Sequence, residues 1–171
     1  YSGKTFQGSY IGGVYYPDKT RVGWWKNGYP EYFAKVLNAP SWIGIKVVVD
    51  GESLDLNTVK SVKDFRRELN MKEGWLGRSF EAELQNGTKL KVESKRFLSL
   101  EHDELGAINY EVTPLNRDVS ISYEPYLDSG ITNEDTNWDD KFWNTLSVEE
   151  QGNKAFITAH TLPIWPSQMG S

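Results

Sequence analysis

The sequence predicts an all-β protein, an antiparallel β-sandwich, and three observations carry that prediction. Short segments alternate apolar and polar residues with a period of two. Turn signals recur about every ten residues, and no segment shows the longer period of an amphipathic helix. The alternation is clearest from Trp75 to Pro114, which reads as three antiparallel strands. In the first, Arg78, Phe80, Ala82 and Leu84 share one face, while Ser79, Glu81 and Glu83 share the other. Gln85-Asn86-Gly87-Thr88 turns the chain, because Asn-Gly favours the left-handed backbone of a tight hairpin. The return strand sets Leu90, Val92, Ser94 and Arg96 against Lys89, Lys91, Glu93, Lys95 and Phe97. Charges on one face only predict a sheet with one wet side and one buried side. A third run, Ala107 to Val112, follows the loop Glu101-His102-Asp103-Glu104.

Before this hairpin, Ser9 to Tyr16 is strand-like, with Gly12-Gly13 marking a bulge or a close backbone approach. Pro17-Asp18-Lys19 breaks it, and Thr20 to Pro30 follows with two adjacent tryptophans. In an extended segment Trp24 and Trp25 face opposite ways, so one of them reaches a second surface. Glu31 to Leu37 is ambiguous and open to a helical turn, which Asn38-Ala39-Pro40 ends. Trp42 to Val49 is the most strongly β segment, and Asp50-Gly51 turns it into Ser53 to Leu56. From Lys60 to Asn70, Val59, Ser61, Lys63 and Phe65 alternate with Lys60, Val62, Asp64 and Arg66, favouring a strand that turns at Asn70 to Gly74.

Beyond it, Val119 to Tyr126 alternates again. Leu127 to Trp143 is a long loop with five acidic residues and few strand formers. Loops of this length in compact domains are commonly functional, and Trp138, Phe142 and Trp143 argue against disorder. Val148 to Asn153 reads as a turn region, and Lys154 to Leu162 as a last strand. One domain over residues 1–162 is expected, followed by an irregular or foreign tail over 163–171.

The totals exclude several classes. A net charge of −5 lacks the basic footprint that neutralises phosphates, so no nucleic-acid partner is expected. No apolar run approaches the roughly 20 residues needed to span a bilayer, so no membrane partner is expected either. The absence of cysteine removes disulfides and thiolate metal sites. With no secretion signal in these residues, the expected location is cytoplasmic. Asn86-Gly87-Thr88 is formally a glycosylation sequon, but the hairpin turn accounts for it. Aromatic residues reach 13%, which suits strand packing and also suits stacking on sugar rings.

No chemical motif is complete. His102 and His160 are 58 positions apart and lack metal-ligand spacing, so neither a metal nor a cofactor is expected. Glu134, Asp135, Asp139 and Asp140 invite a glycosidase reading, because sugar hydrolysis uses two carboxylates flanking the bond. A solvated loop explains them as well, and no catalytic residue is assigned. The candidate substrate contacts are Trp24, Trp25, Trp138, Asp139, Asp140 and Trp143, the loop residues that one sheet face cannot bury.

Several motifs carry a family resemblance. They include Gln7-Gly8-Ser9-Tyr10-Ile11, Leu37-Asn38-Ala39-Pro40-Ser41-Trp42-Ile43-Gly44-Ile45 and Phe65 through Gly74. Glu93 through Leu100, Tyr110-Glu111-Val112-Thr113-Pro114-Leu115-Asn116 and Ile131-Thr132-Asn133-Glu134 complete the set. In this order they resemble the N-terminal domain of glycoside hydrolase family 65, a family of disaccharide phosphorylases. Tyr16 to Pro30 and Asn137 to Trp143 look most like its bacterial maltose phosphorylases.

The resemblance implies part of a large super-sandwich that precedes an (α/α)-barrel, and it implies as partners the barrel of the same chain, inorganic phosphate, a disaccharide and a second subunit. It implies inverting phosphorolysis of maltose to β-glucose 1-phosphate and glucose by the parent enzyme. The general acid and the phosphate ligands belong to the barrel, so the resemblance implies no catalytic residue here and a chain inactive alone. Two alternatives stand beside this reading. One is an autonomous carbohydrate-binding module. The other is a hydrolase using Asp139 or Asp140 with Glu134.

Overall fold

The computed structural model describes residues 8–20, 24–133 and 141–163, with the side chains of Trp24 and Trp25 left out. Among them every regular element except one 3₁₀ turn is a β-strand, and every resolved strand pairing is antiparallel. The strands are β1 Tyr10–Lys19, β2 Tyr32–Asn38, β3 Ser41–Val49, β4 Glu52–Ser53, β5 Ser61–Asn70 and β6 Trp75–Glu83. Then come β7 Lys89–Leu98, β8 Gly106–Pro114, β9 Ile121–Asp128, β10 Trp143–Gln151 and β11 Lys154–Thr161. They form sheets of order β1-β2, β10-β11, β4-β3-β9 and β5-β6-β7-β8. The expected all-β antiparallel class is what the structure shows. The chain divides into two compact units, one containing Ile45–Pro125 and the other the described residues of Thr5–Gly44 and Tyr126–Ser171.

In the first unit the inner face of the four-stranded sheet behaves as its alternation predicts. Phe80, Ala82, Leu90 and Val92 are buried, while their strand neighbours Lys89 and Lys91 are exposed. Leu84 and Leu90 pack with Val47 and Val49 of β3, all four at 2% exposure or less. Ile45, Leu54, Val59, Val112 and Ile121 close the edges of this cluster. Each such side chain contributes about 1.5–3 kcal/mol by leaving water.

The hairpins at Asp50-Gly51 and Asn86-Gly87 differ. Asp50 and Gly51 both have positive φ, at 49° and 84°, and Val49 pairs directly with Glu52, as a two-residue hairpin requires. At the Asn86-Gly87 turn only Gly87 is left-handed, at 83°. Gly87 N–H bonds to Leu84 C=O at 3.0 Å and Leu84 N–H to Thr88 C=O at 2.8 Å. That is the three-residue turn in which glycine supplies a bulge, not the two-residue form expected. Asn86 Oδ1 accepts from Thr88 N–H at 2.9 Å, which holds the corner.

Four local expectations are corrected. Pro17-Asp18-Lys19 does not break the first strand: all three lie in β1, paired with Ala34, Phe33 and Tyr32 of β2. Glu31 to Leu37 offers no helical turn: Tyr32 to Leu37 lie in β2, whose register with β1 runs from Lys19↔Tyr32 to Tyr10↔Asn38. Val148 to Gln151 belongs to β10, and the turn is confined to Gly152-Asn153. In β5 the alternation slips at Asp64, whose φ is 50°, and the register shifts by one residue between Lys63 and Arg66. Two residues there oppose Phe80 alone, a β-bulge. Val62 and Phe65 therefore serve the same side, Val62 packing on the core cluster and Phe65 stacking on Phe80 at 6.1 Å.

The second unit is organised around asparagines. Asn38 and Asn133 are buried at 6% and 2% exposure. Asn133 Oδ1 accepts from Asn38 N–H at 2.9 Å, and its Nδ2 donates to Val36 C=O at 2.8 Å. Asn38 Oδ1 accepts from Ser9 N–H at 2.9 Å, while its Nδ2 donates to Thr132 C=O at 3.1 Å. Leu37, Ala39 and Phe142 are the buried apolar residues around them. Gly44 is required by a close approach, since a Cβ there would lie 2.4 Å from the Tyr126 ring of β9.

Candidate functional site

The solvent-facing side of the four-stranded sheet carries one shallow groove of about 410 Å³. Its origin is local. Gly77 in β6 has no side chain, so the indole of Trp75, two residues earlier on the same face, folds down over it. A Cβ at Gly77 would stand 2.9 Å from that ring. Trp75 Nε1–H donates to Glu73 at 2.6 Å, and the Lys95 ammonium lies 4.4 Å from the ring centroid. Register places Lys95 opposite both Gly77 and Asn109, and Glu93 opposite both Ser79 and Glu111.

Charges in the groove are mostly paired. Lys91 bonds Glu93 at 2.9 Å, Arg66 meets Glu68 at 2.5 Å, and Asn109 donates to Glu111 at 2.8 Å. The Glu93 carboxylate raises the Lys91 ammonium above its ordinary pKa through that hydrogen bond. Donors and acceptors beside an indole suit a polyhydroxylated ligand better than a bond-breaking centre, because these carboxylates face water and are held by neighbours. Among the described residues no group of three or more His, Asp or Glu is placed to hold a metal ion.

The opposite face of the same sheet changes character along its length. Beyond the aliphatic core come Arg67 of β5, Arg78 of β6 and Arg96 of β7, then Leu69, Leu76 and Leu98. Arg67 sits directly opposite Arg78, and Arg78 opposite Ser94. Burial, followed by the neighbouring Arg78 and Arg67 cations, lowers the pKa of Arg96. Arg78 stacks over Phe80 at 5.6 Å and its charge acts on the Tyr110 phenol, yet its Nε is buried with no partner. Burial raises the Tyr110 phenol above its ordinary value, with the Arg78 charge acting against that shift.

Of the candidate substrate contacts singled out from sequence, Trp143 alone has a described side chain. Trp138, Asp139 and Asp140 lie outside the described residues, as does Glu134. Trp24 and Trp25 open a 3₁₀ turn, Trp24–Asn27, so the argument from an extended backbone does not apply there; their side chains lie outside the description. Trp143 starts β10, and its indole N–H donates to the Asn38 C=O at 2.9 Å, tying it to the asparagine network. His160 Nε2 lies 3.0 Å from Asn144 Nδ2, and His102 occupies an exposed loop.

Sequence reasoning missed Trp75 and the three-arginine face. The signal for the first was present, since Trp75-Leu76-Gly77 places a large ring two residues from a glycine on one strand face. For the second, Arg78 and Arg96 appeared in the inward sets of their strands, where a charge demands a partner.

Comparison with known proteins adds the following. The family described as glycosyl hydrolase family 65, N-terminal domain, matches residues 1–163. Maltose phosphorylase of Bacillus subtilis (strain 168) is 48% identical over 162 residues, covering 95% of this chain and 21% of that protein. Alpha,alpha-trehalose phosphorylase of Thermoanaerobacter brockii is 32% identical over 169 residues, covering 92% of this chain and 21% of that protein. A kojibiose phosphorylase of Caldanaerobacter subterraneus subsp. tengcongensis is 27% identical over 129 residues, with 75% and 15% covered. The chain thus spans about a fifth of the length of the first two relatives.

Proposed function

The chain belongs to the N-terminal domain family of glycosyl hydrolase family 65, and from that premise we propose that it is the non-catalytic β-sandwich portion of a maltose phosphorylase-like enzyme. One observation carries the reading. Identity of 48% extends over nearly all of this chain and reaches only 21% of the relative's length. In this reading the parent enzyme, located in the cytoplasm and acting as a homodimer, converts maltose and phosphate to β-glucose 1-phosphate and glucose with inversion. A carboxylic acid protonates the departing sugar while phosphate attacks from the opposite side, and both groups reside on the helical barrel. The sandwich supports that barrel and the subunit contact.

The test is an assay of glucose 1-phosphate formation from maltose and phosphate, run on the 171 residues alone and on the full-length protein. Turnover only by the full-length protein is expected. Phosphate-dependent turnover by the 171 residues would overturn the assignment.

The Trp75 groove favours a second reading, an autonomous carbohydrate-binding module, in which a sugar displaces Lys95 from the indole and bonds Asn109 and Glu111. Titration calorimetry with maltose and glucose separates the two. Heat that disappears in Trp75→Ala would favour the module; the absence of heat favours the supporting role.

A further inference from the structure

We propose that the arginine-bearing end of the four-stranded sheet, formed by Arg67, Arg78 and Arg96, seats a carboxylate-bearing segment of the same polypeptide from outside residues 1–171. This rests on the reading of the chain as part of a longer enzyme, because the relatives are about five times its length.

The face holds three cations on adjacent strands, with Arg67 and Arg78 in direct register. Like charges directly opposite destabilise a sheet, and a charge withdrawn from water is costly unless paired. Arg78 and Arg96 are each partly withdrawn, and Arg78 Nε has no acceptor. The inward positions of β5 to β8 include no Asp or Glu, and among the described residues none of the three arginines enters a salt bridge, whereas Arg66 on the other face is paired with Glu68. A guanidinium is matched by a carboxylate in two parallel hydrogen bonds.

Surroundings decide the source of that carboxylate. Leu69 and Leu98, next along the same face, are 65% and 64% exposed. A free phosphate would satisfy the arginines and leave those leucines in water. A second copy meeting this face through two-fold symmetry would bring the same three cations against themselves. A segment with an acidic residue between apolar ones covers both features at once.

The experiment uses the full-length protein and two readouts that do not depend on turnover, so its failure leaves the phosphorylase reading untouched, and an inactive enzyme does not touch this one. Arg78→Lys and Arg96→Lys variants are treated with a water-soluble carbodiimide, which condenses an ammonium with a carboxylate in contact. Peptide mass spectrometry then locates the amide. The expected product is an intramolecular link from the introduced lysine to an Asp or Glu outside residues 1–171. In the unsubstituted protein, phenylglyoxal should modify Arg78 and Arg96 several-fold more slowly than Arg66. Links confined to residues 1–171, links between two copies, or no link with full arginine reactivity would each overturn the proposal. So would protection that appears only when inorganic phosphate is added, which would identify a free anion.

Discussion

The two units solve the same problem with different chemistry. Around Leu84 and Leu90 the interior is aliphatic, built by strands that place one residue type on one face. Around Asn38 and Asn133 it is polar, and two side-chain amides replace the ladder that strands would provide. Aliphatic packing is non-directional and accepts any shape that fills the volume. A buried amide network accepts only the residue that presents a donor and an acceptor in the right places. The first interior should respond to volume, the second to hydrogen-bond pattern.

Substitutions can break that contrast. The largest effect is expected from Leu90→Ala, which should lower unfolding free energy by about 2–5 kcal/mol, read from the urea midpoint followed by circular dichroism. Leu90→Met, nearly the same volume, should cost under about 1.5 kcal/mol. In the other unit Asn133→Ala should cost about 1–3 kcal/mol for each buried group left unpaired, here Asn38 N–H and Val36 C=O. The near-isosteric Asn133→Asp should lose almost as much, since it puts an acceptor against the Val36 carbonyl. If it were as mild as Leu90→Met, the contrast between the interiors would collapse. Trp143→Phe removes one donor to Asn38 C=O and should cost only about 0.5–1.5 kcal/mol.

The smallest effect is a pH dependence in the first unit. Burial raises the folded Tyr110 pKa above the ordinary 10.0, so the unfolded chain loses that proton first. Its contribution is complete below the ordinary value and disappears as pH rises through the folded one. Urea midpoints measured from neutral pH into that alkaline range should therefore fall less in Tyr110→Phe than in the unsubstituted protein.

The same contrast explains what could be read from sequence. The aliphatic sheet was legible because period-two alternation states its faces: Phe80, Ala82, Leu90 and Val92 were placed inward from sequence and are buried. Asn133 was legible only as part of a family motif, because an asparagine in a loop has no periodicity to reveal that it is buried. Asn-Gly and Asp-Gly are equally good turn signals, yet only Asp50-Gly51 uses two left-handed residues. The difference lies in how the flanking strands align, which is a property of the pair and not of the dipeptide. Glu31 to Leu37 has no alternation strong enough to choose strand over helix, and its pairing with β1 decides. Of the candidate substrate contacts, Trp143 alone has a described side chain, and its role in the asparagine network depends on a backbone carbonyl 105 positions away.

The bulge at Asp64 has a consequence at the level of the gene. Were the same residues paired without a bulge, an unbroken ladder continuing from Val62↔Ala82 would carry Arg66 and Glu68 to the inner face and send Phe65 and Arg67 outward. With it, both halves of β5 present their proper sides, so the bulge acts as a reading-frame correction written in protein geometry. Losing that single codon would let the remaining residue face Phe80 while Lys63↔Glu81 and Arg66↔Ser79 stay in place. Asp64 is therefore a position where the coding sequence can shorten by one triplet and leave every downstream partner where it was, a freedom that ordinary positions inside a paired strand lack.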